Sequence, residues 1–253
     1  MKIVRIKSGD DIAYGIADTD GVNVYRGSPF VAWEPTESVV PWPSVQLLSP
    51  VIPTKVICVG KNYDDHAAEM GGEAPPEPLL FMKPATSVIG PEGAVVYPPE
   101  TQELHHEAEL AVVISKVARH VRAEDANGYI LGYTAANDIT ARDLQRSDGQ
   151  WTRAKGFDTF CPIGPAIETE LDPLERLAVI CRVNGDVRQA GFTSDMVFGV
   201  GAIIEHVTAV MTLLPGDVVL TGTPSGVSSV DVGDTMEVEI DGIGTLTNRV
   251  VKR

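Results

Sequence analysis

The apolar residues of this chain come in short runs with a period of two, and nearly every run is cut by Gly, Pro, Asn or Asp before a helix could form. Residues two apart share one face of a strand, so this rhythm predicts strands. It recurs in "KIVRIKSG", "IAYGIAD", "VNVYRG", "KVICVG", "LLFMK", "AVVYP" and "ELAVVISKV". "AVICRVNGDVRQAGF" reads as a hairpin closed by Asn184-Gly185, a pair suited to a primed turn. One stretch breaks the rhythm: "DMVFGVGAIIEHVTAVMTLL" is long and apolar, and predicts a packed helix with Ser194 or Asp195 as its N-cap. "YDDHAAEMG" predicts a short helix, acidic in its first turn and ended by glycine. Strands and helices do not alternate as in a parallel α/β sheet, so the expected class is α+β and β-rich. The scattered prolines of residues 27–54 predict an irregular connection. A soft boundary near residue 50 would divide a small N-terminal β domain, 1–50, from a main domain, 51–253.

Composition narrows the function classes. With 35 acidic against 20 basic residues, a net charge of −15 and no basic cluster, phosphate-backbone binding is not expected. No apolar run is long enough to cross a bilayer, and "MKIVRIKSGDDIAYG" alternates like a strand without an apolar leader core. Cys58, Cys161 and Cys181 are far apart and form no CxxC pair, which fits a reduced, cytoplasmic setting.

The chemistry centres on "HHEAELAVVI", residues 105–114. Glu107 and Glu109 fall on one face of a strand, where like charges need either solvent or a cation. Taken alone they read as a solvated face. Three further features favour the cation. Asp138, in "TAANDITARD", ends another strand, and three carboxylates from two strands suit a hard ion, Mg²⁺ or Mn²⁺, with coordination positions left open. His66 and Glu69, three apart on the short helix, share a face, and a carboxylate beside an imidazole orients it as a base. Lys155 is a lone cation among small and apolar residues in "AKGFDTFCPIGP". "HHEAEL" is not HExxH, no GxSxG is present, and "TGTPSG" lacks a P-loop lysine, so zinc peptidase, serine hydrolase and nucleotide-binding readings have no support.

With "VGKNYDDHAAEMG", "LFMKPATSVIGP", "NDITARDLQ", "VNGDVRQ" and "LTGTPSGV" in this order, the chain resembles the fumarylacetoacetate hydrolase family, in particular its small acylpyruvase-like branch, from about residue 53 to the C-terminus. The resemblance implies a mixed β-sandwich roll working as a homodimer. It implies that Glu107, Glu109 and Asp138 bind the metal, that His66 and Glu69 form the catalytic pair on a lid helix, and that Lys155 helps hold substrate. It also implies substrate contacts from Arg142, Gln145 and Thr223.

The expected reaction is metal-dependent hydrolysis of the C–C bond of an acylpyruvate-like β-diketo acid, with His66 and Glu69 activating water and "GGEAPPEP" serving as a lid. Two alternatives use nearly the same residues: decarboxylation of oxaloacetate, which needs no attacking water, and isomerisation of a 2-hydroxy-dienoate from aromatic catabolism, which needs proton shuttling. A β-rich module holding a structural cation is the non-enzymatic reading. A neighbouring base, lysine and arginine are not what a closed oxygen cage requires.

Overall fold

The computed structural model describes residues 1–173 and 175–253. Four strands open the chain: β1 (Lys2–Ser8), β2 (Asp11–Ala17), β3 (Gly21–Ser28) and β4 (Ala32–Pro41). They are followed by β5 (Gln46–Leu48), β6 (Val56–Gly60), helix α1 (Asp64–Glu69), β7 (Leu79–Lys83), β8 (Val88–Ile89) and β9 (Ala94–Tyr97). Next come β10 (Leu104–His105), β11 (Ala108–Ile114), β12 (Ile130–Asn137), β13 (Thr140–Ala141), α2 (Arg142–Asp148), α3 (Thr152–Lys155) and β14 (Cys161–Glu168). The hairpin β15 (Ala178–Val183) and β16 (Asp186–Phe192), helix α4 (Val200–Val210), β17 (Val218–Leu220), β18 (Thr235–Ile240) and β19 (Gly244–Lys252) complete the order.

The main sheet runs β4-β3-β2-β1-β14-β12-β11-β17-β6-β7, and a second sheet runs β16-β15-β18-β19-β9. Along β11, Leu110, Val112 and Ile114 pack with Ile203, Ile204 and Val207 of α4 and with Val179, Val238 and Ile240 of the second sheet. The alternate residues Ala111 and Val113 pack on the opposite face with Val56, Cys58, Ile163 and Ile167. Both faces of the central strands are thus dry, as a β-rich sandwich requires.

Two expectations are corrected. The proline-bearing segment is not irregular: β4 forms from Ala32 to Pro41 and pairs with β3, with a register shift near Tyr25↔Pro35. It is the edge strand of its sheet, where a residue without an N–H removes no ladder bond. Nor does the long helix begin at Ser194 or Asp195; α4 begins at Val200, after an extended Gly199. The intervening residues are claimed by Asn62, whose backbone oxygen accepts from Val197 N–H at 2.9 Å and whose Oδ1 accepts from Phe198 N–H at 2.7 Å. The Asn184-Gly185 turn is as expected, with φ of 53° and 86°.

Asp217 fastens the entry of β6 to its parallel neighbour β17. Its carboxylate accepts from the Thr54 hydroxyl at 2.6 Å, the Thr54 N–H at 3.0 Å, the Leu214 N–H at 2.8 Å and the Lys55 ammonium at 2.5 Å. Burial alone would raise its pKa, but Lys55, Thr54 and Leu214 overcome that and hold it below the ordinary 3.8. A depressed carboxyl contributes stability that is present above the unfolded pKa and lost as pH falls through the folded one. Asp217→Asn is therefore expected to cost about 2–4 kcal/mol near pH 7 and less near pH 3, below the ordinary carboxyl value. Urea unfolding at both values checks this; an equal cost at both would refute it.

Candidate active site

Glu107, immediately before β11, and Glu109, within it, point to the same side of the strand, and both are buried, at 4% and 2% exposure. The solvated-face reading is therefore excluded. β12 pairs antiparallel to β11 with Ala108 opposite Asn137, which delivers Asp138 beside Glu107. The Asp138 N–H donates to the Glu107 carbonyl at 2.8 Å, and the Glu107 N–H donates to Asn137 Oδ1 at 2.9 Å. One oxygen from each of Glu107, Glu109 and Asp138 lies within 4.8 Å of the others. Two charges at such a separation repel by about 3–4 kcal/mol at an effective dielectric of about 20.

Three buried cations offset that repulsion unevenly. The Lys155 ammonium bridges Glu107 Oε2 at 2.7 Å and Asp138 Oδ2 at 2.6 Å. Lys83 donates to Asp138 Oδ1 at 2.5 Å and to the Ile139 carbonyl at 3.0 Å. Arg142 pairs with Glu107 and donates to Gln145 Oε1 at 2.5 Å. Burial would raise the Glu107 pKa, but Lys155 and Arg142 hold it well below the usual range. Lys155 is buried as well, yet Asp138 and Glu107 keep it protonated. Among the described residues Glu109 has no direct ion-pair partner. It accepts one hydrogen bond, from Gly222 N–H at 2.7 Å, and burial followed by Asp138 and Glu107 pushes its pKa well up. A buried carboxylate without a counter-ion, converging with two others, fits a hard divalent ion.

The carboxylates line a cavity of about 190 Å³. Eight of the nine candidate residues line it, and Glu69 stands behind His66, accepting from the imidazole Nδ1 at 3.1 Å. The Gly226 N–H also donates to Glu69, at 3.1 Å to Oε1, which docks α1 over the site. His66 Nε2 has no hydrogen-bond partner among the described residues. One wall is aromatic: Phe81 meets Trp151 edge-on at 5.1 Å, and the Lys155 ammonium lies 4.9 Å from the Phe81 ring centre. Gly60 leaves room for Trp151, since a Cβ there would lie 2.8 Å from its ring.

Thr223 is held in one orientation. Its hydroxyl donates to the Ala108 carbonyl at 2.8 Å and accepts from Gln189 Nε2 at 2.7 Å, so only a lone pair remains for a ligand. Gln189 Oε1 accepts from the Ala108 N–H at 3.0 Å, so the His106 Nδ1 at 3.0 Å from that oxygen carries a hydrogen. Burial lowers the His106 pKa to about 4, leaving a neutral ring.

Sequence reading missed Lys83, Gln189, Phe81 and Trp151. The one local sign of Lys83 is a charge ending an otherwise apolar strand, "LLFMK".

Residues 55–251 match the family described as fumarylacetoacetate (FAA) hydrolase C-terminal, and residues 1–50 match one described as Rv2993c-like, N-terminal. The chain belongs to the fumarylacetoacetate hydrolase family. Among its relatives in that family, Protein Rv2993c of Mycobacterium tuberculosis is 49% identical over 265 residues, covering 100% of this chain and 99% of that one. Human mitochondrial oxaloacetate tautomerase FAHD2B is 46% identical over 226 residues, 84% of this chain and 72% of that protein. A crystal structure described as 5-carboxymethyl-2-hydroxymuconate delta-isomerase from Mycobacterium smegmatis superposes over the whole of both chains with a TM-score of 0.94 at 46% identity. No helix among the described residues of this family member is long and apolar enough to cross a membrane.

Proposed function

We propose that this family member is a divalent-metal-dependent enzyme that moves a proton at the carbon beside the ketone of a 2-oxo acid, interconverting keto and enol forms or shifting a double bond. One observation carries the reading: an imidazole whose Nδ1 is held by a carboxylate lines the cavity of the three carboxylates, with its Nε2 unpartnered among the described residues. The names of two relatives, an oxaloacetate tautomerase and a hydroxymuconate isomerase, support it.

Glu107, Glu109 and Asp138 would hold Mg²⁺ or Mn²⁺, which when bound supplies a Lewis acid for the ketone oxygen. His66 takes the proton through Nε2 while Nδ1–H stays on Glu69, then returns it to oxygen or to the far carbon. Lys155 neutralises charge gathering beside Glu107 and Asp138. Phe81 and Trp151 keep one wall free of water. A second reading, hydrolysis of an acylpyruvate C–C bond, is favoured by Glu69, whose side chain is 34% exposed and gives water a way to the His66 pair.

The test is a panel of enol-oxaloacetate, acetylpyruvate and a 2-hydroxy-dienoate, followed by absorbance in Mg²⁺ and in EDTA. EDTA-sensitive loss of the enol band is expected. Indifference to EDTA would sink the metal, and acetylpyruvate cleavage without enol turnover would establish the hydrolytic reading instead.

A further inference from the structure

We infer that Lys61 binds a second carboxylate of the substrate, which makes the preferred ligand a 2-oxo dicarboxylate; this rests on the proposed metal-assisted chemistry at the same site. Lys61 follows β6 directly and lines the cavity, yet its ammonium has no hydrogen-bonding or ion-pair partner among the described residues. The other cations at the cavity are committed: Lys155 to Glu107 and Asp138, Arg142 to Glu107, and the largely exposed Arg146 to Glu103.

The backbone is set for this role before any ligand arrives. Lys61 has a φ of 56°, a left-handed conformation that a lysine adopts at a cost. Asn62, fully buried, holds the turn by donating to the Thr221 carbonyl at 2.7 Å and the Phe198 carbonyl at 3.0 Å while accepting from the Phe198 N–H. That turn brings the lysine against the loop after α1, where a Cβ on Gly72 would lie 3.2 Å from its Nζ. Strain kept at an unpaired charge that faces a cavity is what a ligand contact would explain, since packing gains nothing from it.

Charge balance gives the ligand its class. Glu107, Glu109 and Asp138 are matched in number by Lys83, Lys155 and Arg142. A divalent ion then leaves two positive charges uncompensated; Lys61 adds a third and the Glu69 carboxylate behind His66 removes one, leaving two. A 2-oxo monocarboxylate brings one negative charge. A 2-oxo dicarboxylate brings two, and the total stays at two when its proton passes to His66, so the site matches a dicarboxylate.

Calorimetric titration in Mg²⁺ with malate and lactate tests this, because these 2-hydroxy acids chelate alike, differ by one carboxylate, and have no ketone to turn over. The unsubstituted protein is expected to bind malate at least about ten-fold more tightly than lactate. Lys61→Met should erase that preference, weakening malate about ten-fold while moving lactate less than about two-fold. Lys61→Gly, which relieves the positive φ, should do the same if the methionine variant folds poorly. Equal effects on the two acids, or none, would overturn the assignment of Lys61 while leaving the metal reading intact. Binding of both acids that ignores Mg²⁺ would instead overturn the proposed function.

Discussion

His66→Ala is expected to lower the turnover of enol-oxaloacetate by between about a hundred-fold and ten-thousand-fold, the usual contribution of one positioned acid–base group. The loss belongs in kcat, with little change in KM or in affinity for Mg²⁺, because the His66 ring hydrogen-bonds to Glu69 and to none of the three carboxylates. The one hydrogen bond of its ring among the described residues is to Glu69, and the residue is 5% exposed, so the imidazole is placed for one proton and little else. Decarboxylation of oxaloacetate requires no base and should keep most of its rate in the same variant. Steady-state kinetics of both reactions on one preparation separates the roles. Equal loss of the two would mean that His66 shapes the cavity and does not carry the proton.

Glu109→Gln is expected to abolish tight Mg²⁺ binding, with an affinity loss of at least about a hundred-fold by calorimetry, while leaving the metal-free protein as stable as before or more so. The reason lies in the uneven pairing of the triad. Lys83, Lys155 and Arg142 pair directly with Glu107 and Asp138, whereas the Glu109 side chain has, among the described residues, the Gly222 N–H as its one hydrogen-bond partner. With its folded pKa raised, Glu109 favours folding in acid, and that contribution is lost as pH rises through the folded value. An uncharged amide of the same shape removes this penalty near pH 7 and still accepts from Gly222. Metal binding to the unsubstituted protein should therefore release a proton, seen as a dependence of the heat on the buffer's ionisation enthalpy. Thermal unfolding in EDTA and in Mg²⁺ completes the comparison. A variant that collapses without metal, or that still gains stability from Mg²⁺, would show that Glu109 is structural.

The carboxylate triad was legible because period two is a strict geometric rule. Once β11 was recognised, Glu107 and Glu109 had to share a side, and Asp138 needed only an antiparallel neighbour. His66 and Glu69 were legible for the same reason at helical spacing. Lys83 was not, because its partner lies 55 positions away and its own strand gives no sign of an ionic contact. The start of α4 was misplaced because Asn62, 136 positions from Phe198, takes the N–H that a longer helix would have used. Pro35 in β4 was misjudged for a similar reason: whether a proline interrupts a strand depends on whether that strand lies at an edge, which only the assembled sheet decides.

The order of strands around β14 gives the first fifty residues a part in the chemistry they never touch. β1 hydrogen-bonds to β14 through Lys2↔Glu168 and Ile3↔Ile167, and β14 in turn borders β12, the strand that leads into Asp138. They act as a selvedge. A chain that shed them would bare Ile163 and Ile167, which cluster with Ile3, and Ala166, which clusters with Val4 and Ile6, and would leave an unpaired margin one strand from the aspartate proposed to hold the metal, open to association with a second copy. Conversely, relatives that vary this stretch could tune how stiffly Asp138 is held without altering any residue in the cavity.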